Sequence, residues 1–265
     1  TGADFCPGIH FEGSYNRFSG NRIHDLDGPG VNALVCRAPK GGSNFNVIDD
    51  NEITNADLGI VVGSDSPNAV NKGNTIVGNN VFGLGAVGIA VYNSTETTVE
   101  GNVVGGISFG LGISIGTGPG KVAQHSHVVV GNTVRDTADS AIAFFADDTC
   151  SLTKVFVGYN EVASTGVAGI YLTKDPGARL SDSVILGNHV HDADAVGIFL
   201  DDGVNKNTVE GNLTFENGLY GISVAGNHNR ISANTALGNS TYDLVDSGKG
   251  NRWKNNVYET NPWGR

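Results

Sequence analysis

The sequence predicts an all-β chain wound as a parallel β-helix (a solenoid) of about ten coils, and three observations carry that prediction. An asparagine returns at intervals of 22 to 30 residues along the whole chain. An apolar residue, usually behind a glycine, follows nine to eleven positions later. Between these lie short apolar–polar alternations broken by glycine. The 265 residues include 39 glycines and no methionine, a composition suited to short strands and tight turns rather than helices.

Residues 184–202 hold the clearest copy of the unit. Aligning the chain on its asparagine gives Asn21, Asn51, Asn80, Asn102, Asn132, Asn160, Asn188, Asn212, Asn234 and Asn256. The following apolar positions are Val31, Ile60, Ile89, Ile113, Ile142, Ile170, Ile198, Ile222 and Leu244. Twenty-two residues make about one minimal coil, and the longer intervals add a loop to it. A single coil has no core, so stacking at ~4.8 Å both pairs the strands and buries their inward residues. In the strand at 198–200, alternation makes Ile198 and Leu200 core and Phe199 exterior, with Asp201 also outside. The asparagines read as structural: they tolerate the left-handed backbone of a tight bend, and stacked amides hydrogen-bond into a ladder.

Taken in order, coil 1 places Cys6 and Cys36 one coil apart, so a disulfide and a buried thiol pair are both open there. No amphipathic N-terminal cap is evident, which leaves that end to an upstream segment or a partner. Coils 2 and 3 supply Ile60-Val-Val and Ile89-Ala-Val-Tyr92 after a loop at 37–45. Coil 4 ends in a second long loop, up to His127. Coils 5 to 7 carry Asp147-Asp148, Lys174-Asp175 and Asp201-Asp202, whereas coils 8 to 10 are plain. Aromatic residues close the chain at Trp253, Tyr258 and Trp263. The whole, 1–265, reads as one domain.

The formal charge of −11 and pI near 4.9 leave no basic stripe for nucleic acid. No apolar run approaches the ~20 residues of a membrane span. Neither a nucleic-acid nor a membrane partner is expected.

Placing the Gly-Ile strands in register brings outward residues of the middle coils together. Phe145, Tyr171 and Phe199 would make an aromatic floor, edged by Asp147, Asp148, Asp175, Asp201, Asp202 and Lys174, with Tyr92 a further outward candidate for binding substrate. Like charges one strand spacing apart cannot all ionise cheaply, so the cluster either binds a cation or holds a raised pKa. A hard cation such as Ca²⁺, held by Asp147, Asp148, Asp175 and Asp201, suits the first case. Proton transfer suits the second. Asp is also a common turn residue after a strand. A second patch joins His189 and His191 to Arg135, with His125 and His127 on the coil-4 loop. A His-x-His pair on one strand face suits a metal or an acid/base pair.

The Gly-Asn-x-Val … Gly-Ile-x-Val unit resembles the right-handed parallel β-helix, pectate-lyase-like superfamily of carbohydrate-active proteins. Its members include pectate and alginate lyases, mannuronan C5-epimerases, polygalacturonases and NosD-like repeat proteins. Gly112-Ile-Ser-Ile-Gly116 and Asp147-Asp148-Thr-Cys150 resemble polygalacturonase segments, but in reversed order and without the Arg-Ile-Lys segment. The epimerase Asp-Pro-His segment is missing, so no single family's site is carried over. The resemblance implies a secreted or periplasmic enzyme acting on a polysaccharide or oligosaccharide. The leading expectation is abstraction of the C5 proton of a uronic-acid polymer, by a lyase or an epimerase. Lys174, Arg179 or a cation would neutralise the uronate, and Tyr171, Lys174 or a histidine would be the base. The alternatives are an inverting glycosidase using Asp147 and Asp201, a non-catalytic module, and a scaffold recruited to small-molecule isomerisation or cyclisation.

Overall fold

A computed structural model describes residues 7–26, 32–38, 42–64, 70–117 and 123–263. Three parallel sheets of ten strands each run its length. The first sheet holds strands such as Val184–Leu186, before the ladder asparagine; the second holds those just after it, such as His189–Ala193. The third sheet holds the Gly-Ile strands, such as Val196–Leu200. Each coil gives one strand to each sheet and pairs in register with the next: Ile185 with Val209, Val190 with Thr214, Ile198 with Ile222. A three-stranded sheet (Gln124–His125, Ser151–Thr153, Arg179–Ser181) widens the corner between the third and first sheets. Among the described residues there is no helix, so none is long and apolar enough to cross a membrane.

Alternation assigns the faces as expected. Ile198 and Leu200 are fully buried and Phe199 is half-buried outside. The buried stack of the third sheet runs Leu34, Ile60, Ile89, Ile113, Ile142, Ile170, Ile198, Ile222, Leu244. Burying each such side chain contributes roughly 1.5–3 kcal/mol, so this continuous column is a main bond between coils. At coil 1 the partner of Ile60 is Leu34. Val31, which spacing alone selected, lies outside the described residues.

The amide ladder is present, with two corrections. In the third coil its member is Asn79, which accepts from Asn51 Nδ2 at 2.8 Å and donates to Asn102 Oδ1 at 2.9 Å. Asn80 instead begins an outward strand position paired with Glu52 and Val103. The left-handed residue of the bend is also not the asparagine but the one before it. Asp50, Tyr159, Gly187, Gly211 and Ala233 have φ between 54° and 65°. The asparagine therefore serves the ladder and its neighbour serves the bend.

A second column lies five residues earlier in every coil. It runs Asn16, Asn46 and Asn74, resumes at Ser183 and continues through Asn207, Asn229 and Asn251. Between these stand Thr97, His127 and Val155. His127 is fully buried, and neither ring nitrogen has a hydrogen-bond partner. Burial pushes its pKa from 6.5 down to about 4. Above pH 6.5 the ring is neutral folded or unfolded, and stability is undiminished. Between 6.5 and 4 only the unfolded chain takes up the proton, so about 3 kcal/mol of stability is lost across that window. Urea unfolding of wild type and His127→Asn from pH 7 to pH 4 checks this. The wild type loses stability more steeply on acidification, and parallel curves would reject it.

Cys36 is buried, its thiol pushed up to about 12 by that burial. Its pairing with Cys6 lies outside the described residues.

Candidate functional site

The outward face of the third sheet assembles the aromatic floor that the register calls for. Ala90, Ser114, Ala143, Tyr171, Phe199 and Ser223 form one column. Tyr92, Gly116, Phe145 and Thr173 form the neighbouring one. Tyr171 stacks on Phe199, with centroids 5.3 Å apart and planes 7° apart. Phe145 meets Tyr171 edge-on at 6.3 Å.

The carboxylates divide into two groups with different surroundings. Asp201 Oδ2 accepts from Tyr171 Oη at 3.0 Å and Thr173 Oγ1 at 2.8 Å, while its Oδ1 accepts from Asp202 N at 2.7 Å. Three donors fix Asp201 as an acceptor. Burial, with the Asp201 charge beside it, pushes the Tyr171 phenol above its ordinary pKa. Tyr171 is thus held protonated, donating to Asp201.

Asp147 follows the strand Ile142–Ala146, and its N–H donates to Thr117 Oγ1 at 2.6 Å. Burial first, then the charges of Asp175 and Asp148, push its carboxyl up. Asp175 lies one coil on, where its Oδ2 accepts from Asp148 N at 3.1 Å and so also braces the earlier turn. Lys174 Nζ donates to the Asp175 carbonyl at 3.1 Å. Arg179 turns to Asp182, at 2.6 Å, and to Ser181. Asp202 is exposed at the rim. Among the described residues no three His, Cys, Asp or Glu side chains converge as a metal site requires. Asp147, Asp148, Asp175 and Asp201, the residues expected to hold Ca²⁺, are not gathered into such a group.

A cleft of about 330 Å³ opens on this face. Tyr92 and Phe145 flank it, Gly116 floors it, and Ser114, Thr117 and Asp147 supply its polar edge. A hollow of about 520 Å³ at the last coil is lined by Trp253, Tyr258 and Trp263. There Asp246 is occupied by Trp253 Nε1 and Asn251 Nδ2, each at 2.7 Å, so that layer closes the stack.

The histidine patch separates. His189 and His191 lie on the second sheet, with Ala163 between His191 and Arg135 in their column. Arg135 pairs with Asp136 and covers the Phe82 ring at 5.3 Å. His125 belongs to the three-stranded corner sheet, and His127 is interior. The partner of His189 and His191 is Glu161, at 2.8 and 3.1 Å, with Phe215 stacked on His191. Glu161 went unnoticed in the sequence, although it stands one coil before His189 in the same register.

The sheet arrangement defines a parallel β-helix solenoid, and comparison with known proteins gives its family. The model described as "Right handed beta helix region" matches residues 7–173 and 113–262. The chain belongs to that family. No curated protein matches its sequence. Among solved structures it is similar to a mutant of the periplasmic alginate epimerase AlgG. The TM-score is 0.66 at 18% identity, over 80% of this chain and 50% of that one. Pectate lyase Pel9A gives 0.54 at 13% identity, over 89% and 68%. DFA-IIIase from Arthrobacter chlorophenolicus A6 gives 0.55 at 17% identity, over 89% and 57%. The chain thus spans half the length of the epimerase. At these identities the likeness is one of fold.

Proposed function

We propose that the protein is a carbohydrate-active enzyme that cleaves a glycosidic bond with inversion, using Asp147 as general acid and Asp201 as general base. The observation that carries the reading is the contrast between these two carboxyls on one aromatic surface. One is pushed toward its protonated form, and the other is fixed as an acceptor. Asp147 gives its proton to the glycosidic oxygen as the C1–O bond breaks. Water attacks C1 from the opposite face and passes its proton to Asp201, and solvent exchange restores both groups. The two residues stand two coils apart, about 9.6 Å along the axis, and two positions apart along the strand, so their side chains must lean toward one another to approach the ~6.5–9.5 Å carboxyl separation of inverting enzymes.

C5-proton abstraction from a uronate polymer has less support. It needs a positive group for the uronate carboxylate, and Arg179 is engaged by Asp182 while Lys174 stands among acids. Saccharide polymers as substrates go with a secreted or periplasmic enzyme.

Product analysis tests the proposal. Incubation with a panel of neutral and uronate oligosaccharides is expected to release reducing ends of inverted anomeric configuration, seen by proton NMR. Absorbance near 235 nm, roughly that of an unsaturated uronate, would instead establish elimination, in which a base removes a proton α to a carboxylate.

A further inference from the structure

We infer that the cleft over Gly116 is the subsite for one uncharged sugar ring, and that Gly116 sets the size limit of that subsite. This rests on the glycosidic reading above and names the class of residue it accepts.

The column alternates large and small: Gly63, Tyr92, Gly116, Phe145. Tyr92 lies over Gly63, where an added Cβ would stand 2.6 Å from the ring Cζ. Its ring therefore tips toward the preceding coil and leaves Gly116 uncovered. A Cβ at Gly116 would meet only Phe145, at 3.7 Å, and the backbone there is not left-handed. The missing side chain is thus not required by the fold, and its absence makes the floor. The strands of Tyr92 and Phe145 stand two rungs apart, about 9.6 Å, and Tyr92 tips away over Gly63 while Phe145 meets Tyr171, so the space between the rings is wider than that spacing. A ring in van der Waals contact with an aromatic face on each side needs roughly 7–8 Å. The gap therefore admits one sugar ring.

The edges select the chemistry. Ser114 brings a hydroxyl to the cleft, Thr117 Oγ1 is buried as acceptor of the Asp147 N–H, and Asp147 is the one carboxylic acid among the described lining residues. Asp175 and Asp148 add negative charge behind it. Among the described residues no Lys, Arg or His lines the space. A uronate there would face like charge with no compensating cation, whereas a neutral ring meets only a hydroxyl and an acid able to donate.

The test measures binding and turnover by wild type, Gly116→Ala and Gly116→Trp. The probes are neutral oligomers of glucose, galactose, mannose, xylose and fructose, beside oligogalacturonate and oligomannuronate. A neutral oligosaccharide is expected to bind most tightly. Gly116→Trp should weaken it about tenfold or more and raise KM accordingly, because the indole fills the space over Gly116. Gly116→Ala should change affinity less than about threefold, a methyl being far smaller than the gap. Thermal melting of both variants near that of wild type shows that the scaffold is intact. Unchanged affinity in Gly116→Trp, a uronate as the tightest ligand, or no binding by any probe overturns the inference. If neutral glycan is cleaved equally by wild type and Gly116→Trp, the subsite fails while the catalytic reading stands. If Asp147→Asn cleaves at the wild-type rate, the catalytic reading fails by itself.

Discussion

Asp147→Asn is expected to lower kcat on a natural glycosidic substrate by roughly 100- to 10,000-fold, the usual worth of a positioned general acid. KM should stay within about twofold, because the amide keeps the size and polarity of the carboxyl and the aromatic walls remain. The loss should depend on the leaving group. An aryl glycoside whose phenol leaves as a stable anion needs no proton, so Asp147→Asn should cleave it at nearly the wild-type rate. Asp201→Asn removes the base and should be slow on both substrates. Equal losses for Asp147→Asn on both would sink the assignment of the acid. The pH profile gives the sign. Asp147 works protonated, so activity falls as pH rises through its pKa, and that pKa is held up by burial and then by Asp175 and Asp148. Asp175→Asn removes one like charge while its side-chain oxygen still accepts from Asp148 N. The alkaline limb of kcat/KM should therefore move to lower pH, whereas a purely structural Asp175 would leave it in place.

Most of this site could be read from the sequence because a solenoid converts spacing into position. Once coils are aligned, residues 28 apart become neighbours, and Tyr171, Phe199 and Asp201 met as expected. Errors arose where alignment by one residue type was not enough. Gly78-Asn79-Asn80 offers two asparagines, and only the hydrogen bonds show that Asn79 sits in the ladder. Glu161 is not legible from the His-x-His pattern along the strand, because it meets His189 only through the register across coils. The second asparagine column, five residues ahead of the first, could have been found by the same alignment. Side-chain direction was not legible. Neither the turn of Arg179 to Asp182 nor the folding of Tyr92 over Gly63 is encoded in spacing; both are outcomes of local rotamer competition.

Asn160→Ala is expected to cost about 3–5 kcal/mol, because several buried groups lose their partners at once. Asn160 Nδ2 donates to Val129 O at 3.0 Å and Asn188 Oδ1 at 2.9 Å. Its Oδ1 accepts from the N–H and the side-chain amide of Asn132, at 2.9 and 3.0 Å. Alanine leaves the Asn132 N–H and the Val129 carbonyl buried without these bonds, each at roughly 1–3 kcal/mol. For a chain of this length the melting temperature should fall by roughly 10 °C. Asn160→Asp should be worse: it keeps the acceptor but replaces two donors with an oxygen facing two acceptors. The last rung behaves differently. Asn256 is partly exposed, so water can replace the three bonds it makes with Asn234 and Ile231, and Asn256→Ala should cost only about 1 kcal/mol, that of an ordinary hydrogen bond. Urea unfolding of the three variants checks the series. A similar small loss at Asn160 and Asn256 would mean that the amides follow the coils rather than hold them.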